Sequence, residues 1–381
     1  MLISVAAPKP YAFLAAGSAG RRISAITAAI HADARAATLL ADPQATIMSD
    51  VKLRLKASGS PVVKSLYWSV QRPNPQVWGG AEVRTLVAGE DGLIWCDWLD
   101  DPGLRGLRAL PSQGKAWRLL RYIPERRATF WVGSSSSPAR IVKVKRADRA
   151  DDAAHRLAVV NAALDQVKGV QVPRLLSPAQ DGVFSLSICP GTVFGQGAWA
   201  DARTILHRIG QVHGRLHNAS PQGLPQDPHA PALKSLALIA ALCPAVRPVL
   251  AQAADFLMDA PPPAAPVLCH GDLAPDQILS DGTTISLVDF DRAHAGDAAM
   301  DIARFLVALA DQPLAGLDIA TAQNSYLSGY AEIRTLPQTR RLQWCLAEVA
   351  VARLLVLLRK DLASPARVDR LVSLIRSQVA A

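Results

Sequence analysis

Polar side chains that suit phosphate and metal chemistry are concentrated in residues 267–306 of this 381-residue chain. Asp272 lies in a polar turn after the apolar residues 267–269, and Asp289 directly follows a second apolar run, residues 285–288. Gln277 lies five positions after Asp272. Because short apolar runs that end in tight turns are typical of short strands, the pattern predicts two acids on neighbouring loops that face one cleft.

Such a pair of acids suits phosphoryl transfer. The reaction needs a cation that neutralises phosphate oxygens and a carboxylate that orients and deprotonates the attacking hydroxyl. Mg²⁺ prefers oxygen ligands and takes only one or two protein carboxylates. We interpret Asp272 and Asp289 in this way, whereas a simple turn- or helix-capping role fits Asp276, Asp281 and Asp297.

The same segment resembles the catalytic core of the aminoglycoside phosphotransferase family, which is related to the protein kinases. The likeness rests on HGDLAPDQ, LVDFD and GDAAMD and extends over about residues 118–375. It implies an α+β, bilobal protein-kinase-like fold, with a small β-rich N-lobe and a mainly helical C-lobe. It also implies transfer of phosphate from ATP, with Mg²⁺, to a hydroxyl of a sugar, an amino sugar or an aminoglycoside-like molecule.

The resemblance implies a role for each residue of the motif. Asp272 would be the catalytic base, and His270 would buttress its loop. Asp289 would be the principal Mg²⁺ ligand, and Gln277 would be a further ligand of the same ion.

Two more acids and one departure from the family pattern complete this interpretation. Asp301 would hold the catalytic loop through backbone hydrogen bonds, and Asp297 would support the same loop. Most relatives carry asparagine where this chain has Gln277, but maltokinases and some glucosamine kinases carry glutamine there. Glutamine keeps the amide oxygen and adds a methylene, so the departure favours a sugar kinase, although the second histidine of the maltokinase motif is missing.

Candidate nucleotide-binding residues precede the catalytic segment. In IVKVKR, Lys143 and Lys145 lie on one face of an alternating strand, and the resemblance favours Lys143 as the lysine that contacts phosphate. Solvated lysines on an edge strand are the alternative. The following helix has no glutamate to pair with this lysine, so Asp151 and Asp152 are the candidates; capping of the helix explains these acids equally well.

The chain divides into three predicted segments. Residues 1–115 are an N-terminal extension that is β-rich from about residue 50, where VKLRLKA with SLYWSVQ, and EVRTL with GLIWC, predict hairpins. Residues 116–188 predict five strands and one helix of a nucleotide-binding lobe. Residues 189–381 predict a mainly helical lobe that binds the acceptor. The connection near Ser187 and Cys189 would bind adenine through its backbone.

Composition limits the classes of function. The net charge is +9, and the first 150 residues hold 22 Lys and Arg against 11 Asp and Glu. No RNP, zinc-finger or helix–turn–helix pattern accompanies this charge, so we do not expect a nucleic-acid partner. We interpret the positive charge as a phosphate-facing lobe or a solvated surface.

Five scattered cysteines without a CxxC pair argue against disulfides and zinc and favour a cytoplasmic protein. The first residues lack the pattern of an export signal, and no apolar run is long enough for a membrane span.

Several alternatives stay open. His213 and His217 have a spacing that suits a metal pair, but without an HExxH motif or a third ligand they are interpreted as core or helix-surface residues. The acceptor can instead be choline, homoserine or a related metabolite. A nucleotide-binding pseudokinase or scaffold is a second class of function. It is supported by Gln277, by the weak acidic partner of the lysine and by IPERRATF, which lacks the glycines of a phosphate loop. The presence of both Asp272 and Asp289 argues against it. A regulatory protein that recruits a partner through residues 50–115 is the third class.

Overall fold

The computed structural model describes five N-terminal strands and most of the chain beyond residue 100. The described residues are 46–49, 52–56, 63–69, 82–85, 92–96, 101, 103–110, 116–123, 126–134, 137–194, 201–227, 231–359 and 363–380. The chain splits into two compact units: Met1–Asp151 with Leu176–Leu186, and Asp152–Leu175 with Ser187–Ala381. The three-segment division of the sequence stays a prediction.

An antiparallel sheet of five strands lies before residue 100, with the strand order β1-β2-β3-β5-β4. Its strands are β1 Thr46–Ser49, β2 Lys52–Lys56, β3 Val63–Ser69, β4 Glu82–Thr85 and β5 Gly92–Cys96. The pairings of β2 with β3 and of β4 with β5 confirm the two predicted hairpins. The strand β1 and the pairing of β3 with β5, which joins the hairpins, were not predicted.

A second five-stranded sheet belongs to the same unit and has the order β6-β7-β8-β10-β9. Its strands are β6 Ala116–Ile123, β7 Arg127–Ser134, β8 Ser137–Lys145, β9 Leu175–Gln180 and β10 Val183–Ser187. The helix α1, Ala147–Leu164, connects β8 to β9, so the predicted set of five strands and one helix is confirmed.

One face of this second sheet is apolar. Alternate residues of β7 and β8, among them Phe130 and Val142, are buried because successive side chains of a strand point to opposite faces. They pack with Leu104 and Leu107, at the 3₁₀ helix Arg105–Ala109. This helix is five residues long.

The other unit is mainly helical after Gly191, as predicted. Its helices beyond α1 are α2 Ala202–Asn218, α3 Leu236–Leu242, α4 Arg247–Met258, α5 Ala298–Asp311, α6 Ile319–Ala331, α7 Thr339–Arg359 and α8 Pro365–Val379. The core lies around α5, where 12 of the 14 residues are buried. No described helix is both long and apolar enough to cross a membrane.

Short strands in the helical unit position the polar turns. The strands β11 Thr192–Val193, β13 Ile278–Ser280 and β14 Ile285–Leu287 form one antiparallel sheet, and β12 Val267–Cys269 pairs with β15 His294–Gly296. The two predicted strands of the catalytic segment are thus β12 and β14. Each is followed within three residues by one of the two candidate aspartates, so both acids lie at strand ends.

Candidate active site

The turn that carries Asp272 is held by a buried carboxylate. Asp301, on α5, accepts the backbone N–H of His270 at 2.7 Å through Oδ2 and that of Gly271 at 2.9 Å through Oδ1. A carboxylate that binds two successive amides fixes the orientation of the peptide between them. The backbone on the N-terminal side of Asp272 is therefore fixed by a helix of the core.

Gly271 is required by the close approach of two loops. Its backbone has a φ of 83°, in the left-handed region that favours glycine. A β-carbon at this position would also collide with the carbonyl oxygen of Arg292. The glycine thus allows the turn to lie directly against the segment that follows Asp289.

His270 joins the two loops of the site. Its buried ring has Nε2 3.0 Å from the carbonyl oxygen of Val288, which can only accept, so Nε2 carries the proton and donates. The N–H of Val288 in turn donates to the carbonyl oxygen of Gln277 at 2.9 Å. Burial lowers the pKa of His270 and favours the neutral ring. Because Val288 immediately precedes Asp289, these bonds set the spacing between the two acidic loops.

Asp289 has an unusual backbone conformation, with φ 72° and ψ 52°. Few residues other than glycine adopt this left-handed conformation, and aspartate and asparagine are the commonest exceptions. Strain of this kind concentrates at functional sites, where surrounding contacts enforce it. Here the hydrogen bonds of Val288 hold the chain directly before Asp289.

The donor set suits a magnesium ion. The side-chain oxygen Oε1 of Gln277 is buried and has no hydrogen-bond partner within the described part of the chain. An oxygen in this position is costly unless a ligand satisfies it. Carboxylate and amide oxygens are the ligands that Mg²⁺ prefers, so Gln277 and Asp289 fit the ion expected from the sequence.

Asp272 lies in a mixed electrostatic environment. Surrounding protein raises the pKa of its carboxyl group although about half of the side chain is exposed (54%). The guanidinium of Arg292, 3.7 Å away, opposes this rise, and the negative charge of Asp289 adds to it. Asp289 is therefore close enough to influence the ionisation of Asp272.

Asp297 acts on the helix that carries Asp301 rather than on the turn itself. Its Oδ1 accepts the N–H of Ala299 at 2.9 Å and caps the N-terminus of α5. Its Oδ2 accepts from Nε of Arg341 at 2.6 Å. These two bonds fix the first turn of α5, where Asp301 lies.

The candidate lysines lie on β8, in the unit that contains the two five-stranded sheets. Lys143 pairs in register with Thr129, and Lys145 pairs with Arg127. Both lysine side chains are half-buried and alternate with the buried valines of the strand, so they share one face as predicted.

Asp152 forms an ion pair within α1. Its carboxylate accepts from Nε of Arg156, one turn along the helix, at 3.0 Å. The same guanidinium donates to the carbonyl oxygen of Ala293 at 2.6 Å. Asp152 thus orients an arginine that holds the backbone shortly after the Asp289 loop.

The side chains of Ser187 and Cys189 contact other groups of the protein. The N–H of Ser187 donates to the carbonyl oxygen of Arg174 at 2.9 Å, and its Oγ accepts the N–H of Arg174 at 2.8 Å. Burial raises the pKa of the Cys189 thiol to about 11, so the group stays protonated at neutral pH. Neither side chain is arranged for chemistry.

Sequence reasoning missed the residues that surround Asp301. His213 and His217 are core residues, one of the two interpretations given to them, and both contact Asp301. Their Nδ1 atoms contact the hydroxyl groups of Tyr326 and Tyr330. The available signal was a matching four-residue spacing of two histidines and two tyrosines, on segments predicted to be helical.

Residues 121–336 match the sequence model of the phosphotransferase enzyme family, APH. No curated protein matches the chain. Among solved structures, an amicoumacin kinase in complex with AMP-PNP, Ca²⁺ and Ami is similar with a TM-score of 0.52 and 16% identity, over 69% of this chain and 88% of that one. The GDP complex of a mutant aminoglycoside 2′-phosphotransferase-IIIa gives a TM-score of 0.51 and 16% identity, over 72% and 95%. These similarities confirm the α+β, protein-kinase-like fold predicted from the sequence.

Proposed function

The chain belongs to the phosphotransferase enzyme family, and from this premise we propose that it transfers the γ-phosphate of ATP to a hydroxyl of a sugar, an amino sugar or an aminoglycoside-like molecule, with Mg²⁺ as cofactor. Membership of the family makes it a kinase of small molecules that acts on hydroxyl groups. Nucleotide use is supported by the GDP and AMP-PNP that the two similar structures contain. The observation that carries the proposal is the turn fixed by Asp301, which presents Asp272 beside Asp289.

Asp272 is proposed as the catalytic base. It orients the acceptor hydroxyl and takes its proton while the oxygen attacks the phosphorus atom. Asp272 is half-exposed, so an acceptor can reach it, whereas the turn behind it is buried. The nearby Arg292 favours the ionised form that a base needs.

Asp289 and Gln277 are proposed to hold the magnesium ion, which when bound neutralises charge on the phosphate oxygens. The left-handed backbone of Asp289 and the unsatisfied oxygen of Gln277 support this role. His270 acts between them and Asp272, because its bond to Val288 keeps the two loops at one spacing.

Contacts to the nucleotide are proposed for residues outside this turn. Lys143, or Lys145 on the same strand face, would bind phosphate, and the backbone near Ser187 and Cys189 would bind adenine. For Asp152, the ion pair with Arg156 supports a structural role on α1 in place of a partnership with the lysine.

The proposal is tested by measuring Mg²⁺-dependent consumption of ATP with a panel of sugars, amino sugars, aminoglycosides and amino alcohols. We expect one class to accelerate consumption and its deoxy analogue, which lacks the accepting hydroxyl, to be inactive. Acceleration by choline or homoserine alone would replace the sugar acceptor by an amino alcohol. Nucleotide binding without turnover on any acceptor would favour the pseudokinase, and the absence of both would contradict the proposal.

A further inference from the structure

Asp301 receives an unusual number of donors for a residue with no exposed surface. In addition to the two backbone amides, its Oδ2 lies 3.0 Å from Nε2 of His213 and 3.3 Å from Nε2 of His217. Arg304 lies 3.7 Å from Oδ1. Burial opposes ionisation of Asp301, but the hydrogen bonds from the two histidines hold its pKa well below the usual range. The carboxylate is therefore ionised and accepts from the two backbone amides and the two histidines.

The protons of the two histidines follow from this ionisation. A carboxylate can only accept, so both Nε2 atoms must donate to Asp301. Each Nδ1 then faces one tyrosine hydroxyl: His213 lies 2.6 Å from that of Tyr326, and His217 lies 2.8 Å from that of Tyr330. Burial, reinforced by the nearby His213, lowers the pKa of His217 to about 4, so this ring is neutral at physiological pH and its Nδ1 accepts from Tyr330.

The same arrangement holds for His213. The two imidazole rings are both buried, and their centroids are 4.2 Å apart. A neutral His213 that donates through Nε2 has a bare Nδ1, and the hydroxyl of Tyr326 is placed to donate to it. Each tyrosine thereby satisfies the second ring nitrogen of one histidine, whose tautomer the carboxylate sets.

Close packing of two helices brings these side chains together. Gly210, on α2, lies against the backbone of Tyr326 and Tyr330, on α6, and Gly329 lies against the carbonyl oxygen of His207. A β-carbon at either glycine would collide with backbone atoms of the opposite helix. Because the helices approach so closely, the four-residue spacing of the tyrosines meets the four-residue spacing of the histidines.

We propose that Tyr326 and Tyr330 are positioning residues of the catalytic turn, which fix the orientation of Asp301 through His213 and His217. Loss of a tyrosine hydroxyl leaves the buried Nδ1 of its histidine without a donor, so the ring is no longer held on both sides and can turn away from the carboxylate. Asp301 then loses a donor and can rotate away from the two amides that it holds. This inference rests on the proposed function only where turnover is measured.

A metal ion is the competing explanation for this cluster, since one ligand atom from each of His213, His217 and Asp301 lies within 4.8 Å of the others. A metal ligated by both Nε2 atoms would require them to be unprotonated and would take Oδ2 from the amide of His270. Each ring nitrogen of the two histidines has one partner, and this pairing favours hydrogen bonds instead. Elemental analysis of the purified protein decides: stoichiometric zinc would overturn the proposal.

The first experiment needs no activity. Long-range ¹H–¹⁵N spectra of protein labelled at histidine report the tautomers, and we expect Nε2–H for both rings in the wild type. Tyr326→Phe should shift the ¹⁵N resonance of Nδ1 of His213 alone, because that nitrogen loses its donor, and Tyr330→Phe should do the same for His217. Amide hydrogen exchange at His270 and Gly271 should become faster in both variants. A wild-type spectrum with Nδ1–H or a charged imidazole would contradict the assignment.

The second experiment measures turnover with the acceptor identified above. A hydrogen bond of ordinary strength predicts that each Tyr→Phe variant loses about 3- to 10-fold in kcat. The KM for ATP should change little, because the variants leave the proposed nucleotide contacts intact. Ser328→Ala, which removes an exposed hydroxyl from the same helix, is the matched control and should keep kcat. Faster unfolding or a lower Tm with unaltered exchange and kcat would make the tyrosines merely structural and overturn the proposal.

Discussion

The guanidinium of Arg292 lies 3.7 Å from the carboxylate of Asp272 and opposes the rise in pKa that the surrounding protein causes. Arg292→Ala removes this opposing charge, so the pKa of Asp272 should rise further. A base must be ionised to work, and the acidic limb of the kcat/KM profile should therefore move to higher pH. Lys234→Ala, remote in sequence, is the control. If the acidic limb does not move in Arg292→Ala, the ionisation of Asp272 does not control kcat/KM.

Asp272→Asn should reduce kcat by about 10²- to 10⁴-fold, the usual cost of losing a general base. Binding of Mg·ATP should survive, because the proposed metal and nucleotide contacts lie on other residues. Asp276→Asn alters an exposed acid of the same loop and serves as the matched control. Turnover close to that of the wild type in Asp272→Asn would remove Asp272 from the role of base.

Gln277→Asn should be tolerated, because both amides offer one neutral oxygen to the metal. Gln277→Ala removes the buried oxygen that has no partner among the described residues, and the Mg²⁺ concentration for half-maximal activity should increase. Activity is measured over a titration of MgCl₂, with the exposed Gln166→Ala as control. An unchanged Mg²⁺ requirement in Gln277→Ala would make the residue structural.

Asp289→Asn tests the metal site while keeping the backbone, since asparagine also tolerates the left-handed conformation. The apo variant should melt near the wild-type temperature, but Mg²⁺-dependent stabilisation by ATP should disappear. In the wild type, ATP at about 100 times its Kd should add roughly 2.7 kcal/mol to the free energy of unfolding. Thermal shifts with and without Mg²⁺ measure this, with Asp255→Asn as control. Full stabilisation of Asp289→Asn would place the metal elsewhere.

Asp311 joins the end of α5 to the last two helices. It is buried and accepts from Nε of Arg353 at 2.7 Å and Nε of Arg367 at 2.6 Å. Asp311→Asn should lower the free energy of unfolding by about 3 kcal/mol, the lower end of the cost of breaking a buried ion pair. Denaturant titration at pH 7 measures the loss, and Asp369→Asn, an exposed acid on α8, should be neutral.

The contribution of Asp311 to the free energy of unfolding should also depend on pH. Burial opposes its ionisation, but the hydrogen bonds from Arg367 and Arg353 outweigh this and lower its pKa. A group whose pKa falls on folding stabilises the protein above its ordinary pKa, about 4 for aspartate, and this stability is lost as pH falls through the folded value. The difference between wild type and Asp311→Asn should narrow below about pH 4. A constant difference would exclude this linkage.

The catalytic segment could be predicted because its chemistry is local. Asp272, Gln277 and Asp289 lie within one stretch of short strands and turns, and their types and order resemble the family motif. Residue type did not reveal the left-handed backbone of Asp289, since aspartate adopts that conformation only where neighbouring contacts enforce it. The contact of Arg292 with Asp272 was likewise missed, because it depends on how two loops pack.

The fold was predicted where periodicity is strong and missed where pairing is long-range. Alternating residues identified the strands from β2 to β8, but alternation cannot tell which strands become neighbours, as for β3 and β5. The spacing of His213 and His217 identified one helix face. Its burial depends on glycines of α2 and α6 that allow close approach, and no local pattern shows which helix will lie opposite.

The pairs His213–Tyr326 and His217–Tyr330 each join residues 113 positions apart. The bonds from Asp301 to His270 and Gly271 span only 31 and 30. Because the entropic cost of closing a loop grows with its length, the short-range bonds can form before the long-range ones as the chain folds. The turn that carries Asp272 can thus form first, and its orientation becomes fixed only when the two tyrosine hydroxyls reach the histidines that contact Asp301.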